Sequence, residues 1–499
     1  MMDKVKKNNV LDLIIFLLMS VMTCLFTFDF VSDPNFGSFF EKLGIPFNYR
    51  ESQTPPVLFY APILGVFLIL LILFWVRRYK ATKVKPKVIV TLLAFVAIAS
   101  VITSSFLFPY GSRNFTFLDP INKVNVDIYY AGFSLEGRIF QALVSCLYIL
   151  YFYVTISYFK TFSETKEGAF IISLALYALI IIALFFNIYS YFVNFEDIKH
   201  NVLITIGKDS GEFSENITSL TTHKNIYGTF LIFGFLACLQ LFFKKPRIYL
   251  LLLMVYFTLT SYIINSITSL LVMAFGLVAL LILYPFFNMK KHKGYSVSCI
   301  VLMILFVLSA ATITILYFFV FKGKEVGDKI ESIVNELVNN SSLLTRIDHW
   351  KIALSMVKDP ILFPLGYGKI PFREIYKSYD TLVYPQDPVW TSHNGFIEQF
   401  MYSGAIGGGI TLIAYLVMAI MILKMFKNSY KKNFAASYLI SGLGLIFYSM
   451  FEPRALFLLE GSNIFFMMII LWPLLYNYNK EDFSSENKKT LIKGLKNRG

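Results

Sequence analysis

Residues 341–350 read SSLLTRIDHW, residues 390–400 read WTSHNGFIEQF, and a glycine-rich run, GAIGGG, follows at residues 404–409. Over this stretch the chain is polar, aromatic and rich in turn residues, and it carries a cluster of ionisable side chains. On either side the chain consists mostly of long apolar runs. The contrast predicts that any chemistry this protein performs is carried by residues 341–409.

The composition of the 499-residue chain is that of a membrane protein. Hydrophobic residues make up 57% and charged residues 15%, and the mean hydropathy is +0.63, whereas soluble domains carry about 25% charged residues. The formal net charge is +14, but the positive residues cluster in short loops beside the apolar runs. That placement predicts contact with membrane lipid and argues against nucleic acid as a partner.

Twelve apolar runs approach the length of about 20 residues that a helix needs to cross a bilayer. They lie at residues 10–28, 57–76, 88–108, 138–158, 169–190, 226–243, 248–264, 267–288, 295–320, 396–423, 434–451 and 462–476. We interpret the first run as an uncleaved span, because it exceeds the apolar region of a signal peptide and no small-residue cleavage site follows it. The predicted fold class is an all-α polytopic membrane protein with about 12 transmembrane helices.

The distribution of Lys and Arg predicts that both termini are cytoplasmic. With the N-terminus inside, the inner segments carry 27 Lys and Arg residues and the short outer loops carry 9, as the positive-inside rule requires. The chain then divides into spans 1–9 (residues 1–320), a long extracytoplasmic loop (321–395), spans 10–12 (396–476) and a basic cytoplasmic tail (477–499).

Two helices are predicted in the long loop. Apolar residues at helical spacing between Gly327 and Val338 predict an amphipathic helix, and a second helix is predicted to run from Thr345 to Asp359. The predicted buried stripe of this second helix is Leu343, Ile347, Trp350, Leu354 and Val357, with Arg346, His349 and Ala353 on another face. Pro364, Gly366, Gly368 and Pro371 are predicted to form a turn-rich segment, which leads through Tyr376, Tyr379 and Tyr384 to Trp390.

His393 is the first candidate for catalysis. It is predicted to lie at the start of the tenth span, with Thr391 or Ser392 as the helix cap. The positive end of a helix dipole disfavours a protonated imidazole, so a neutral His393 is suited to act as a general base. The alternative is an interfacial histidine that only forms a hydrogen bond to a carbonyl group.

Arg346 is the second candidate, because a guanidinium group above the membrane is suited to grip a phosphate with two hydrogen bonds. The alternative is a surface residue that extends towards the lipid headgroups. Further outward-facing candidates for substrate binding are Arg138, Lys224, Glu452 and Arg454, each of which is also a typical interfacial anchor. The sequence contains no metal-binding motif, and Asp12 and Glu398 are the main ionisable residues within the spans, which argues against a proton-driven transporter.

Several short motifs recur together in residues 341–409. They are Arg346-x-x-x-Trp350, Pro364-x-Gly366-x-Gly368, His393-Asn394, Glu398 and Gly404-x-x-Gly407. As a set, and with the predicted topology, they resemble the O-antigen ligase and polysaccharide polymerase family. Asn225 at the opening of the sixth span and Ser266-x-Thr268-Ser269 at the eighth are weaker similarities.

The resemblance implies a metal-independent glycosyltransferase of the bacterial plasma membrane, with a GT-C-like fold, no cofactor and an extracytoplasmic active site. The implied donor is an undecaprenyl-pyrophosphate-linked oligosaccharide, and other polysaccharide-assembly proteins are implied partners. By analogy, His393 deprotonates the acceptor hydroxyl, Arg346 holds the leaving pyrophosphate, and Asn394 and Glu398 join the substrate-binding candidates.

One departure from the family bears on the function. Family members often carry a basic residue before the eighth span, where this chain reads Asn265-Ser266-Ile267-Thr268. Either Arg138, Lys224 or Arg454 supplies that charge, or the donor is held differently. The departure favours a polymerase of capsular or O-antigen-type repeat units over a ligase that transfers the finished glycan. The alternatives of another class are a lipid-linked oligosaccharide flippase and an anchoring protein.

Overall fold

The fold is described from a computed structural model, which covers Ile14 and most of residues 57–476. The residues left undescribed within that range are 108–111, 133–134, 164–167, 290–291, 317–340, 357–365, 384–390, 428–431 and 453–466, with scattered positions between 207 and 223.

The described residues are mainly helical. In chain order, the helices are α1 (Val57–Thr82), α2 (Val88–Leu107), α3 (Leu135–Ser163), α4 (Gly168–Val193), α5 (Phe195–Thr205), α6 (Lys224–Lys244), α7 (Ile248–Ile263), α8 (Ile267–Asn288), α9 (Lys293–Leu316), α10 (Ser341–Met356), α11 (Lys369–Val383), α12 (Gly395–Phe426) and α13 (Lys432–Phe451). A π-helical turn, Met467–Leu471, leads into α14, Trp472–Leu475.

Where the structure describes them, the predicted spans from residue 57 onward coincide with helical structure; the span at 462–476 is described only from Met467. The predicted span at 10–28 lies outside the described residues apart from Ile14. Among the described helices, six are long and apolar enough to cross a membrane: Val88–Phe106, Gly168–Val193, Lys224–Lys244, Ile267–Asn288, Gly395–Phe426 and Phe434–Phe451. The prediction of a helical, multi-pass membrane protein is therefore confirmed. The count of twelve and the orientation stay predictions.

Helix α6 lies at the centre of the bundle. Its side chains are buried from Asn225 to Phe243, and α4, α7, α8 and α13 pack around it. A helix that is apolar on all sides is stable only when other helices surround it. The apolar side chains left exposed, such as Phe95, Phe192 and Phe286, belong to the surrounding helices and form the surface expected to face lipid.

Residues 113–130, which lie between two predicted spans, form a β-hairpin that the all-α prediction did not include. Strands β1 (Arg113–Leu118) and β2 (Asn125–Tyr130) pair antiparallel, with Arg113 opposite Tyr130. Phe115, Phe117, Ile128 and Tyr130 are buried while the side chains between them are more exposed. Alternation over only six residues per strand is a weak pattern in a chain dominated by long apolar helices.

Strands β1 and β2 and helices α10 and α11 pack together over the first turns of α12. We call these two strands and two helices the cap layer. Its hydrophobic core is separate from that of the bundle and consists mainly of Phe115, Phe117, Ile128, Tyr130, Ile352, Ala353, Met356, Phe372, Ile375, Tyr376 and Tyr379, with Met401 and Tyr402 from α12. The predicted turn-rich segment ends earlier than expected, because α11 begins at Lys369 and buries Tyr376 and Tyr379 on one face. Gly366 and Gly368 lie before the helix and have positive φ angles, as expected of a turn. Tyr384 and the predicted helix from Gly327 lie outside the described residues.

The predicted buried stripe of α10 was also wrong. Ile347 and Leu354 are 37% and 53% exposed, whereas His349, Ile352, Ala353 and Met356 are buried. Those four follow the i, i+3, i+4, i+7 spacing of a helix face, so the face with a histidine is the one that packs against the rest of the cap layer. The sequence of α10 alone marks this face as polar, because it contains a histidine. The partner that allows His349 to be buried comes from another helix, so the local pattern does not reveal it.

Candidate active site

Arg346 connects the cap layer to the bundle. Its Nη1 donates to Thr268 Oγ1 at 2.6 Å, and its Nη2 donates to Glu452 Oε1 at 3.0 Å. The side chains of Arg346 and Glu452 are only 11% and 5% exposed. Thr268 lies in the first turn of α8, and Glu452 directly follows α13, so the guanidinium group sits where two membrane helices end.

Glu452 brings two further helix ends to the same place. Asn225, in the first turn of α6, donates from Nδ2 to Glu452 Oε1 at 2.9 Å. The backbone N–H of Gly395, the first residue of α12, donates to the Glu452 carbonyl at 3.1 Å. Ser266 Oγ lies 3.2 Å from Asn225 Oδ1. We call Asn225, Ser266, Thr268, Arg346 and Glu452 the arginine network.

The arginine network gathers positive potential. The N-terminal ends of α6, α8 and α12 meet there, and each helix N-terminus carries a partial positive charge of about half an electron unit. The charge of Arg346 is balanced by Glu452, and the first turn of α12 carries a second carboxylate, Glu398. Convergent helix N-termini beside an arginine form a site suited to a phosphate group.

Close approach of α6 and α8 depends on Gly228. A Cβ atom at this position would lie 2.2 Å from Ser269 Oγ and 2.6 Å from Ser266 Oγ, which is far inside van der Waals contact. The absence of a side chain therefore allows the first turn of α8 to reach Asn225 and Arg346.

His393 lies in a turn immediately before α12. Its φ of +52° is in the left-handed region that non-glycine residues rarely adopt. The helix cap is Asn394, whose side-chain oxygen accepts hydrogen bonds from Phe396 N and Ile397 N at 3.0 Å each. The predicted cap at Thr391 or Ser392 was therefore wrong, and His393 stands just outside the helix, near its positive end.

The side chains of Glu398 and Tyr402 stabilise the turn that contains His393. Glu398 is fully buried; its Oε1 accepts the Ser392 N–H at 2.9 Å, and the Tyr402 hydroxyl donates to its Oε2. Arg373 on α11 donates from Nε to the Tyr402 hydroxyl at 3.2 Å. Asn394 and Glu398, predicted to bind substrate, thus have internal partners that stabilise the His393 turn.

The two glycine motifs contact each other. Gly366 has a φ of +79°, and a Cβ atom there would lie 2.4 Å from Gly404 N. Tyr367 N and Gly368 N donate to the carbonyls of Met401 and Tyr402 at 2.8 and 2.9 Å. Gly404 itself has φ +63° and marks a kink in α12. The kink allows the turn that contains Gly366 and Gly368 to approach the backbone of α12 closely.

A second histidine faces His393. The ring centroids of His349 and His393 are 6.0 Å apart. His349 Nδ1 lies 2.8 Å from Asp380 Oδ1 on α11, and both side chains are almost completely buried. Since Arg346 and His349 are three residues apart on α10, the helix brings the arginine network and the two histidines to one region.

The remaining predicted site residues are more scattered. Lys224 is the first residue of α6 and neighbours Asn225 in the arginine network. Arg138, in the first turn of α3, is buried and lies near Tyr130 of the cap layer. The pKa of the Tyr130 hydroxyl is raised, chiefly by burial and also by the charge of Glu374, and the charge of Arg138 opposes that rise. Arg454 lies outside the described residues.

Several residues of this region were missed or underrated from the sequence. Asn225, Ser266 and Thr268 were noted only as weak family similarities, and their signal was their position at the start of a span. His349 was recognised only as sharing a helix face with Arg346. Asp380 carried no local signal, because 31 residues separate it from His349. Among the described residues, no group of three or more His, Cys, Asp or Glu side chains is arranged to hold a metal ion.

Comparison with protein families supports the motif-based resemblance. Residues 249–412 match the model of a family described as O-antigen ligase. The matched range runs from α7 into α12 and includes Arg346, His349, Asp380 and His393. A comparison with curated proteins found no match.

Proposed function

This chain is a membrane protein with an O-antigen ligase domain, and from that premise we propose that it is a glycosyltransferase that polymerises a surface polysaccharide. The proposed donor is an oligosaccharide repeat unit linked to undecaprenyl pyrophosphate, and the proposed acceptor is a hydroxyl group on a second lipid-linked unit or chain. The observation that carries the proposal is the arginine network beside the two facing histidines.

In this proposal the pyrophosphate of the donor binds at the arginine network. Arg346 and the N-terminal ends of α6, α8 and α12 offer positive charge to the phosphate oxygens. Their interaction strengthens as the bond to the sugar breaks and negative charge builds on the leaving group, which lowers the barrier. Glu452 orients the guanidinium group before the donor arrives.

The proposed chemistry is a single inverting displacement at the anomeric carbon. His393 removes the proton from the acceptor hydroxyl, and the hydroxyl oxygen bonds to the anomeric carbon. The bond between the anomeric carbon and the pyrophosphate oxygen breaks. His393 suits this role because it lies near the N-terminus of α12, where the neutral imidazole is favoured. In this scheme, the arginine and the helix ends provide the positive charge and a metal ion is not required.

Lys224 is our candidate for the basic residue that this chain lacks before the eighth span. Thr268, in that connection, contacts Arg346 instead of providing a charge of its own. Lys224 directly precedes Asn225, which belongs to the same network through Glu452. This position makes Lys224 the candidate for the second cationic contact to the donor.

The proposal places the site on the extracytoplasmic face of a bacterial plasma membrane. If the N-terminus is cytoplasmic, the even-numbered spans begin outside. Helices α6, α8 and α12 form the sixth, eighth and tenth predicted spans, so all three begin outside. The N-terminal ends of these three helices meet at the arginine network. The cap layer, which contributes Arg346 and His349, lies at the same end.

The proposal is tested by measuring glycan chain length in cells whose only copy of the gene carries His393→Ala or Arg346→Ala. We expect long chains to disappear while single lipid-linked units accumulate. The matched controls are Lys351→Ala, an exposed residue on the same helix as Arg346, and His200→Asn, a histidine of α5 outside the site. Membrane levels of every variant are compared by immunoblotting.

The outcomes separate the alternatives. Long chains that form but stay on the lipid carrier would instead support a ligase. Normal glycan from both variants would show that neither His393 nor Arg346 takes part in the mechanism, and it would favour a flippase. Loss in the control variants as well would show that the effect comes from protein stability.

A further inference from the structure

His349 is a buried histidine with a buried carboxylate partner. It is 3% exposed and Asp380 is 0% exposed, and 2.8 Å separates His349 Nδ1 from Asp380 Oδ1. The two residues come from neighbouring helices of the cap layer, α10 and α11, which the Tyr376 hydroxyl further joins by donating to the His349 carbonyl. Burying such a pair costs free energy, because both groups lose their hydration.

The carboxylate determines which ring nitrogen of His349 carries the proton. An ionised carboxylate only accepts hydrogen bonds, so Nδ1 donates to Asp380 and Nε2 holds the lone pair. This arrangement, in which an aspartate holds one nitrogen so that the other accepts a proton, is the one used by catalytic histidines in hydrolases. In this geometry Nε2 is the ring nitrogen that would receive a transferred proton.

The ring of His349 faces that of His393. Their centroids are 6.0 Å apart and the planes are inclined by 47°. Proton transfer requires direct hydrogen-bond reach or one bridging water molecule, so transfer between these rings would need a small rotation or a water molecule between them. Among the described residues, the charged and titratable groups beside His349 include Asp380 and Tyr376 on α11, His393 before α12, and Arg346 one turn earlier on α10.

We propose that the His349–Asp380 pair receives the proton that His393 removes from the acceptor hydroxyl. This inference rests on the proposed function and adds to it a second pair of residues. His349 acts through His393, so it is a positioning and relay residue that does not touch the sugar.

The proton balance of the step is complete. The acceptor hydroxyl gives its proton to His393, its oxygen forms the new bond to the anomeric carbon, and the electron pair of the broken bond leaves with the pyrophosphate. The proton then moves from His393 to His349 Nε2, where the Asp380 carboxylate stabilises the imidazolium ion through a charge-assisted hydrogen bond. Neutral His393 is regenerated, and the proton later returns to solvent.

The test uses the purified full-length protein in lipid nanodiscs with a lipid-linked repeat unit as substrate. In His349→Asn, the amide nitrogen replaces Nδ1 as donor to Asp380, but the side chain cannot bind a proton. We expect kcat to fall about 10- to 100-fold, by analogy with the loss of a hydrogen-bonding partner behind a metal-bound histidine, with KM changed less than about twofold. We also expect the pH–rate profile to change and added imidazole to restore part of the rate.

Two further variants make the result decisive. Asp380→Asn keeps an acceptor for His349 but removes the charge, so we expect a smaller loss of kcat with the same change in pH profile. His200→Asn is the matched control, because His200 Nδ1 lies 2.9 Å from Asp209 Oδ2 in an exposed pair of similar geometry. It should behave as the wild-type protein.

The failure of this inference is distinguishable from failure of the proposed function. If His349→Asn and Asp380→Asn keep the wild-type kcat and pH profile while His393→Ala is inactive, the relay is refuted and the proposed function stands. A loss of rate that imidazole does not restore and that leaves the pH profile unchanged also refutes the relay, because it shows a structural role. Full activity in His393→Ala overturns both.

Discussion

The guanidinium group of Arg346 lies 3.0 Å from the carboxylate of Glu452, which follows it by 106 residues in the chain. This ion pair joins α10 of the cap layer to the end of α13 and, through Asn225 and Gly395, to the first turns of α6 and α12. Glu452 thus joins the elements that would bind the donor, with its carboxylate contacting α10 and α6 and its backbone carbonyl contacting α12.

Glu452→Ala is expected to destabilise the protein by about 3 kcal/mol, because it leaves the charge of Arg346 nearly buried without its partner. Glu452→Gln keeps an acceptor for Arg346 and Asn225 and should cost less. Thermal unfolding in detergent measures both variants. An alanine variant as stable as the wild type would show that the ion pair contributes nothing to the fold.

Arg346→Lys is expected to keep the protein folded but to lower kcat/KM at least about tenfold, since an ammonium group cannot reproduce the planar fork of a guanidinium group. In the wild type, that fork reaches Thr268 and Glu452 at the same time. The rate of glycan extension is compared with that of Lys351→Arg, a charge-conserving change on the exposed face of the same helix. Equal rates in Arg346→Lys and the wild type would show that charge alone is sufficient.

Gly366→Ala and Gly409→Ala should change stability in opposite directions. A methyl group at Gly366 would lie 2.4 Å from Gly404 N in a residue with φ +79°, so a loss of more than about 1 kcal/mol is expected. Gly409 lies within α12 with nothing within 4 Å of the new methyl group, so the substitution should stabilise the helix by about 0.5–1 kcal/mol. Thermal unfolding measures both, and similar shifts would contradict the close contact between the two glycine motifs.

Glu374→Gln is expected to stabilise the cap layer at neutral pH. Burial raises the pKa of the Glu374 carboxyl group above its ordinary value of 4.5. A raised pKa in the folded state means that the protonated form is favoured, so the charged form weakens folding as the pH rises through the folded-state pKa. The variant should therefore unfold at a higher temperature than the wild type at pH 7.

The same variant supplies its own control through pH. Below pH 4.5 both folded and unfolded wild-type chains carry a protonated Glu374, so the difference from Glu374→Gln should disappear. Unfolding temperatures at pH 7 and pH 4 check this. A glutamine variant that is less stable at pH 7 would show that the charged carboxylate has a favourable partner.

The helical spans were predictable from the sequence because a bilayer imposes a local requirement. A segment that crosses it must be apolar over about 20 residues, and the backbone must form its hydrogen bonds within the segment. Where the structure describes them, the predicted spans from residue 57 onward accordingly coincide with helical structure. The same local logic failed in the cap layer, where the hairpin at 113–130 and the buried face of α10 depend on packing between elements distant in the chain.

The sequence by itself determined the membrane class and the helical spans, and it singled out Arg346 and His393 as the residues to test. Composition, span length and the spacing of motifs are properties of neighbouring residues, so they are readable without a structure. Only the tertiary structure decided that Arg346 meets Thr268 and Glu452, at 78 and 106 residues' distance, and that His349 meets Asp380 at 31. Side-chain contacts across such separations arise when helices pack, and no periodicity along the chain encodes them.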